Sequence, residues 1–397
     1  MRRVDVAIVG AGPAGTATAL FLSGRGLQVL LLDRAVFPRD KVCGEAISPG
    51  ALPFLEAFGL MPELQKAGAF PYRGALLVTP DGFSAEATYP DNRFGLALPR
   101  ERFDWLLVNQ ASTQVEVRQG VSVEAIAPQG DGHSLKLKAS GEIEALWAQA
   151  VVSAEGRFAR MLTEATRETG PSSRFAVVAT LEGVEQLGDR LEFHLLTPAM
   201  QVVVGPQAQD RAAIALVLDG PDASRCASES IKDFQAHLAR DPLLAPRIRH
   251  AHLTKPPRGM GLGRYQPQRL VGPAWLAVGD AVGFMDPITG EGMYRAFRTA
   301  QLAAETLLAA FAAGDLRASR LQPYARAVRR EFTPSYRFVD TVVALSRRPR
   351  LARFALRAIA RDPVLATRMA SYQGALAPAA GFYSLDTLAR LVWAGRP

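Results

Sequence analysis

The chain has 397 residues, 48% of them hydrophobic and 21% charged, with a net charge of +8. That is enough chain for a large core and for two domains or one elaborated one. No apolar run approaches the ~18 residues of a membrane-spanning helix, and because a strand is read from the first residues on, no secretory signal is expected. The only cysteines, Cys43 and Cys226, have no partner at metal-ligand spacing, which excludes a zinc site or disulfide framework and fits a reducing cytoplasm. His250 and His252, two apart, read as a strand face rather than a metal site, so no metal is expected.

Val4–Val9 reads as a buried strand, Gly10-Ala11-Gly12-Pro13-Ala14-Gly15 as a tight turn into an alanine-rich helix, and Val29–Asp33 as a second strand closed by an acid. Gly10 permits the turn, Gly12 lets the backbone approach a pyrophosphate, and Gly15 lets the helix pack on the strand. The helix N-terminus offers free N–H groups to phosphate. Asp33 stands about 20 residues on, where a carboxylate accepts from a ribose hydroxyl. The alternative is a glycine-rich turn in an α/β sheet with no ligand.

A loop follows at Phe37–Glu45, then helix through Leu64. Tyr72–Leu98 reads as a hairpin turning at Pro80-Asp81-Gly82, and Arg100–Ala111 as a helix. Strands are expected at Val115–Val123, Ser134–Lys138 and Ala145–Val152, and a β-rich block at Phe175–Leu218. Trp275–Val278 is a buried-type strand ending in Gly279-Asp280, and a glycine-rich loop then opens a helix near Gly290. The remainder is helical. The order implies an α/β protein: a three-layer Rossmann-like domain (1–72, 95–165 and 265–312), an inserted antiparallel-sheet substrate domain (73–94 and 166–264) and a C-terminal helical region (313–397).

Charge is concentrated in that last region. From Arg317 to Arg396 there are fifteen arginines against Glu331, Asp340, Asp362 and Asp386, a net of +11, which leaves −3 for the rest. The tail is either a solvated helical surface or a basic amphipathic face for anionic lipid or an acidic partner. Without interleaved aromatics or a binding motif, nucleic acid is not a partner. Leu351, Phe354, Leu356 and Ile359 alternate with Arg350, Arg353, Arg357 and Arg361 at near-helical spacing, and the tail is expected to pack over the substrate side.

Three landmarks in order carry a resemblance: the N-terminal glycine turn, Arg100-x-x-Phe103-Asp104, and Gly279-Asp280 with its Pro287-x-x-Gly290-x-Gly292 tail. Residues 1 to about 310 resemble the FAD-dependent oxidoreductases of the aromatic-hydroxylase fold, which include flavoprotein monooxygenases, geranylgeranyl reductases and halogenases. The resemblance implies FAD, with NADPH or NADH as electron donor. It places Gly10, Gly12, Pro13, Ala14 and Gly15 at the pyrophosphate, Asp33 and Arg34 at the adenosine, and Arg100 toward the phosphates or ribityl chain. Gly279 and Asp280 fall at the ribityl chain, and Pro287, Gly290, Gly292 and Met293 at the isoalloxazine edge. Val123 also counts among the cofactor contacts. Lys41-Val42-Cys43-Gly44-Glu45 resembles the Lys-x-Cys-Gly loop of geranylgeranyl reductases, which puts Lys41, Cys43 and Gly44 beside the flavin. Glu45 is either an ion pair with Lys41 or a polar group at the active-site mouth. Glu155-Gly156 stands where many of these enzymes have Asp-Gly, which bears on NADPH binding.

Among the reactions of this group, halogenation lacks its Trp-x-Trp-x-Ile-Pro segment and its lysine, since none occurs between Lys66 and Lys136. Double-bond reduction lacks an aromatic pair in Pro198–Pro206. The expectation is therefore a monooxygenase of secondary metabolism, either free in the cytoplasm or peripheral to a membrane. It would use O₂, activated at flavin C4a, to hydroxylate a lipophilic aromatic, quinone or quinolone. The alternatives are a geranylgeranyl-reductase-like enzyme and an electron-transfer or partner-modifying flavoprotein. No catalytic residue is assigned; Glu45 and His194 are the weak candidates, and His194 reads either as a base or as a hydrogen-bonded core histidine.

Overall fold

The computed structural model describes residues 1–162, 167–168, 174–220 and 231–396; Cys226 lies outside them. The first sheet is centred on β1 (Arg2–Val9), whose Val6, Ala7 and Ile8 are fully buried, as a parallel strand covered on both faces requires. Its order is β20 (Val271–Gly272), β21 (Trp275–Ala277), β11 (Glu142–Ser153), β1, β2 (Val29–Asp33) and β8 (Glu116–Gln119), with β10 (Gly132–Ala139) and β9 (Val121–Gln129) extending from β11. Val9 lies level with Leu32 on one side and Ser153 on the other, and Ser153 with Ala277. Four parallel strands thus end on one line, and their following loops share one crevice. On one face lie α1 (Pro13–Leu22) and α6 (Gly292–Ala312). The buried stripe of α6, Met293, Ala296, Phe297, Ala300, Ala303, Ala304 and Leu307, has helical spacing, and its alanines allow close approach.

The second sheet runs β17 (His252–Leu253), β13 (Arg174–Glu182), β16 (Arg211–Asp219), β15 (Met200–Pro206), β14 (Leu191–Thr197), β5 (Gly74–Val78) and β6 (Ser84–Thr88), with β18 (Arg258–Gly261) beside β13. It is antiparallel except where β14 runs parallel to β5. One face, Val177, Ala179, Val202, Val204, Ile214 and Leu216, is sealed by Phe234 and Leu238 of α5 (Ile231–Leu238). The smaller β3 (Ala46–Ile47), β7 (Gly95–Ala97) and β4 (Phe70–Tyr72) form a third sheet, and β12 (Arg167–Glu168) pairs with β19 (Tyr265–Gln266). His252 is on a strand but His250 falls in the preceding turn, so the two do not share a strand face.

Three helices connect the N-terminal elements: α2 (Leu52–Ala57), α3 (Met61–Lys66) and α4 (Arg100–Ser112). The tail forms α7 (Ala318–Ser346), α8 (Pro349–Arg361), α9 (Pro363–Gln373) and α10 (Leu385–Gly395). Leu356, Ile359, Leu365 and Ala370 pack against Ala85, Ala87, Tyr89 and Leu191, so α8 and α9 close the edge of the second sheet. The whole is a mixed α/β fold with a helical C-terminal region. No helix among the described residues is long and apolar enough to cross a membrane.

Candidate functional site

Loops at the carboxyl ends of a parallel sheet are where such folds bind ligands. Gly10, at φ 107°, sits against the carbonyl of Ala154, and a Cβ there would overlap it. A Cβ on Gly15 would overlap the Gly10 carbonyl oxygen. Gly12 is different: a Cβ would meet only Arg39 Nη2, 3.8 Å away, which leaves an open cradle before the uncapped N-terminus of α1. Pro13 and Ala14 form its first turn. Asp33 accepts from Ala11 N at 2.7 Å and Ala35 N at 2.8 Å. It stands level with Gln119 of β8, and Arg34 beside it is exposed. Val123 packs into the core beside Val121, Leu135 and Leu137, so Gln119 and not Val123 is brought to Asp33.

Cations gather over this cradle. Arg100 is buried, and Nε and Nη2 donate to the two oxygens of Asp104, one helical turn on, at 2.8 Å each. Arg39 Nη2 lies 3.2 Å from the same carboxylate. The Arg100 guanidinium depresses the Lys41 pKa, with loss of hydration in the recess adding to it, although solvent still reaches the lysine chain. Cys43 Sγ is half-buried and lies at Arg100.

Asp280, at the end of β21, receives Arg295 Nη2 at 2.8 Å. Burial alone would raise the Asp280 pKa; Arg295, Lys41 and Arg100 hold it below the usual carboxylate range. Gly279 N donates to Thr299 Oγ1 at 2.9 Å, and a Cβ on Gly279 would strike Ala14, so this turn is pinned against α1. Arg39 and Arg100 converge on Asp104, and Arg295 on Asp280. The open cradle at Gly12, with Arg39 beside it and the uncapped N-terminus of α1 behind it, suits a pyrophosphate, so the residues present fit a dinucleotide. Pro287 and Gly292 expose their backbone around the left-handed Gly290 (φ 72°), and buried Met293 opens α6. Beside it, burial pushes the Glu291 carboxyl up to about 7 against the Ser335 hydrogen bond. Arg295 Nε and Nη1 and Glu291 Oε2 have no hydrogen-bond partner among the described residues.

The second sheet forms the far wall. Glu45, held at φ 60°, accepts from Arg100 N at 3.3 Å and from Gln207 Nε2, not from Lys41. It ties the loop to the end of β15, where Gly205 faces the carbonyl of Gly44. By strand alternation Val178, Phe193, Val203, Ala215 and Val217 occupy the face opposite α5, and all five are only half-buried.

His194 is on the other face, which corrects its candidacy as a base. Its Nδ1 lies 2.6 Å from Asp241 and its Nε2 3.0 Å from Glu192, which Arg247 also holds. The Glu155 carboxylate bonds Ser153 Oγ at 2.7 Å and the backbone N–H groups of Arg160 and Met161, so it is committed to its own loop. A cleft of about 340 Å³ between Pro80, Leu195, Pro198, Pro349 and Arg353 lies at the opposite end of the second sheet from Gly205.

Sequence reasoning missed Arg39, Gln207, Glu291 and Arg295. Only Arg295 had a signal: a charged residue in the buried stripe of a helix needs a partner, and Asp280 needed a cation.

Residues 3–333 match the model of a family described as FAD binding domain. A digeranylgeranylglycerophospholipid reductase of Methanothermobacter thermautotrophicus is 28% identical over 83% of each chain. A probable electron transfer flavoprotein-quinone oxidoreductase of Escherichia coli is 30% identical over 77% of each. A flavoprotein/dehydrogenase structure from Cytophaga hutchinsonii superposes with a TM-score of 0.85 at 21% identity, covering 99% of this chain and 98% of that one. With a dinucleotide crevice built from the matched segments, this chain belongs to the FAD binding domain family and is an FAD-dependent oxidoreductase.

Proposed function

We propose that the chain reduces a carbon–carbon double bond in a lipophilic, isoprenoid-like substrate. One observation carries the lipophilic substrate: Val178, Val203, Ala215 and Val217 stay half-buried, with Phe193 beside them packed toward Leu191 and Leu356, while the other face of the same strands is sealed. Apolar surface facing a cofactor crevice is what a lipophilic ligand covers. Double-bond reduction is supported over hydroxylation because His194, the base a phenol would use, is sealed on the other face. The similarity to the archaeal reductase over most of its length adds to this.

Bound FAD would carry an electron pair from NADPH or NADH to the substrate. In this reading Gly12, Arg39 and the N-terminus of α1 hold the pyrophosphate, and Asp280, fixed by Arg295, orients the ribityl chain. The Cys43-Gly44 backbone and the valine wall exclude water above it.

The test is anaerobic turnover with NADPH on a panel of polyprenyl compounds, lipophilic phenols and quinolones. Reduction predicts that one compound gains two hydrogens without oxygen. Hydroxylation is the second reading, favoured by the absence of any aromatic side chain in Met200–Pro206; it predicts incorporation of isotopically labelled oxygen instead. Flavin reoxidation with neither product would leave electron transfer to a partner.

A further inference from the structure

The arginine-rich tail has one helix whose apolar face meets nothing among the described residues. In α8 the apolar side is used: Leu356 and Ile359 are buried against the edge of the second sheet. In α10, at 100° per residue, Leu385, Leu388, Ala389, Val392 and Trp393 fall within an arc of about 140°, and all five are exposed, Leu385 at 87% and Trp393 at 75%. The opposite side holds the helix in place: Thr387 is buried, and Leu391 and Ala394 pack against the cluster of Leu356 and Ile359. The arc is therefore displayed by a docked helix, not by a frayed end.

Its surroundings are basic. From Arg347 to Arg396 nine arginines face only Asp362 and Asp386, a net of +7. Arg348, Arg350, Arg357, Arg361 and Arg396 have no carboxylate partner among the described residues. Arg361 donates to the backbone carbonyls of Ala394 and Arg396, and Arg396 stacks 5.3 Å over the Trp393 ring. Arg361 and Arg396 thus sit at the C-terminal end of the apolar arc.

We propose that α10 docks this protein onto an anionic lipid bilayer, lying in the plane of the surface. The apolar arc enters the headgroup–acyl boundary and the unpaired arginines meet lipid phosphates. A tryptophan with flanking arginine on an exposed helix face suits that boundary, where the ring is half in water. The arc offers roughly 500 Å², less than the ~800 Å² each partner gives a standard protein interface. The charge complements an anionic surface, and the attraction falls with salt. The proposal is independent of the reaction catalysed, since its readout is lipid binding.

The test is flotation of the FAD-loaded protein with vesicles of phosphatidylcholine alone or mixed with phosphatidylglycerol. Three forms are compared: wild type, Leu385→Ser/Val392→Ser/Trp393→Ser, and Arg350→Gln/Arg357→Gln. Binding is expected only to the anionic vesicles and to weaken with added salt. The apolar variant should bind at least tenfold more weakly, with flavin content and unfolding midpoint unchanged. If it does not fold, Trp393→Ser alone gives the same comparison, and the arginine variant should also bind more weakly. No binding of wild type at low salt, or binding by the apolar variant as tight as that of wild type, overturns the proposal. A dimer in solution that the apolar variant dissociates also overturns it, by assigning the arc to a second copy.

Discussion

His194 gives the sharpest quantitative prediction, because two carboxylates flank an imidazole that is 2% exposed. Burial alone would lower its pKa, but Asp241 and Glu192 raise it from 6.5 to about 9. A folded-state value above the unfolded one means the stabilisation is fully present below pH 6.5 and is lost as pH rises through about 9. At ~1.4 kcal/mol per unit, the interval is worth about 3 kcal/mol. Glu192, depressed to about 2 by Arg247 and His194 against its own burial, reports the same contacts from the other side, so its shift is not added. Hydrogen exchange of peptides from β14 to β16 reads this locally. After correction for intrinsic rates, wild type should open about a hundredfold more readily at pH 9 than at 6.5. His194→Gln should be opened already at pH 6.5 and nearly flat above it, with flavin content unchanged. If wild type and variant share one pH dependence, the network is not charged as drawn. A loss of turnover without altered exchange would instead restore His194 to catalysis.

Gly15→Ala places a Cβ into the Gly10 carbonyl. It should cost ~1–3 kcal/mol or more and abolish flavin retention, read as flavin absorbance per polypeptide after gel filtration; a fully yellow variant would refute the turn geometry. Ala215→Trp fills the half-exposed wall. Turnover of a lipophilic substrate should fall at least tenfold with flavin content intact, and unchanged kinetics would move the substrate elsewhere. Glu291→Gln addresses a carboxyl raised from 4.5 to about 7, whose ionisation takes stability away as pH rises across that interval. In flavin-free protein at pH 8 the variant should be more stable by up to about 3 kcal/mol; urea midpoints equal to wild type at pH 8 would show that Glu291 is not buried as described.

The cofactor site was legible where its requirements are local. Gly15 must clear the Gly10 carbonyl within one turn, Gly12 leaves the mouth of that turn open, and Gly279-Asp280 follows a buried strand, so order and spacing sufficed, although the carbonyl that Gly10 itself clears, on Ala154, lies far away in the chain. Arg39, Arg295 and Gln207 were not legible. Each acts through a partner on another element: Asp104 on α4, Asp280 after β21, and Glu45 in the loop before β3. Strand alternation showed that His194 and Phe193 point opposite ways, but not which way the substrate lies, because that depends on where α5 packs. The same holds for the tail. Periodicity marked α8 as amphipathic, but packing against the second sheet consumed that face and left the arc of α10 open. By itself the sequence determined a dinucleotide crevice and a basic helical tail, since backbone sterics and charge are properties of short segments. Only the tertiary structure decided which faces are covered, because burial belongs to pairs of elements far apart in the chain.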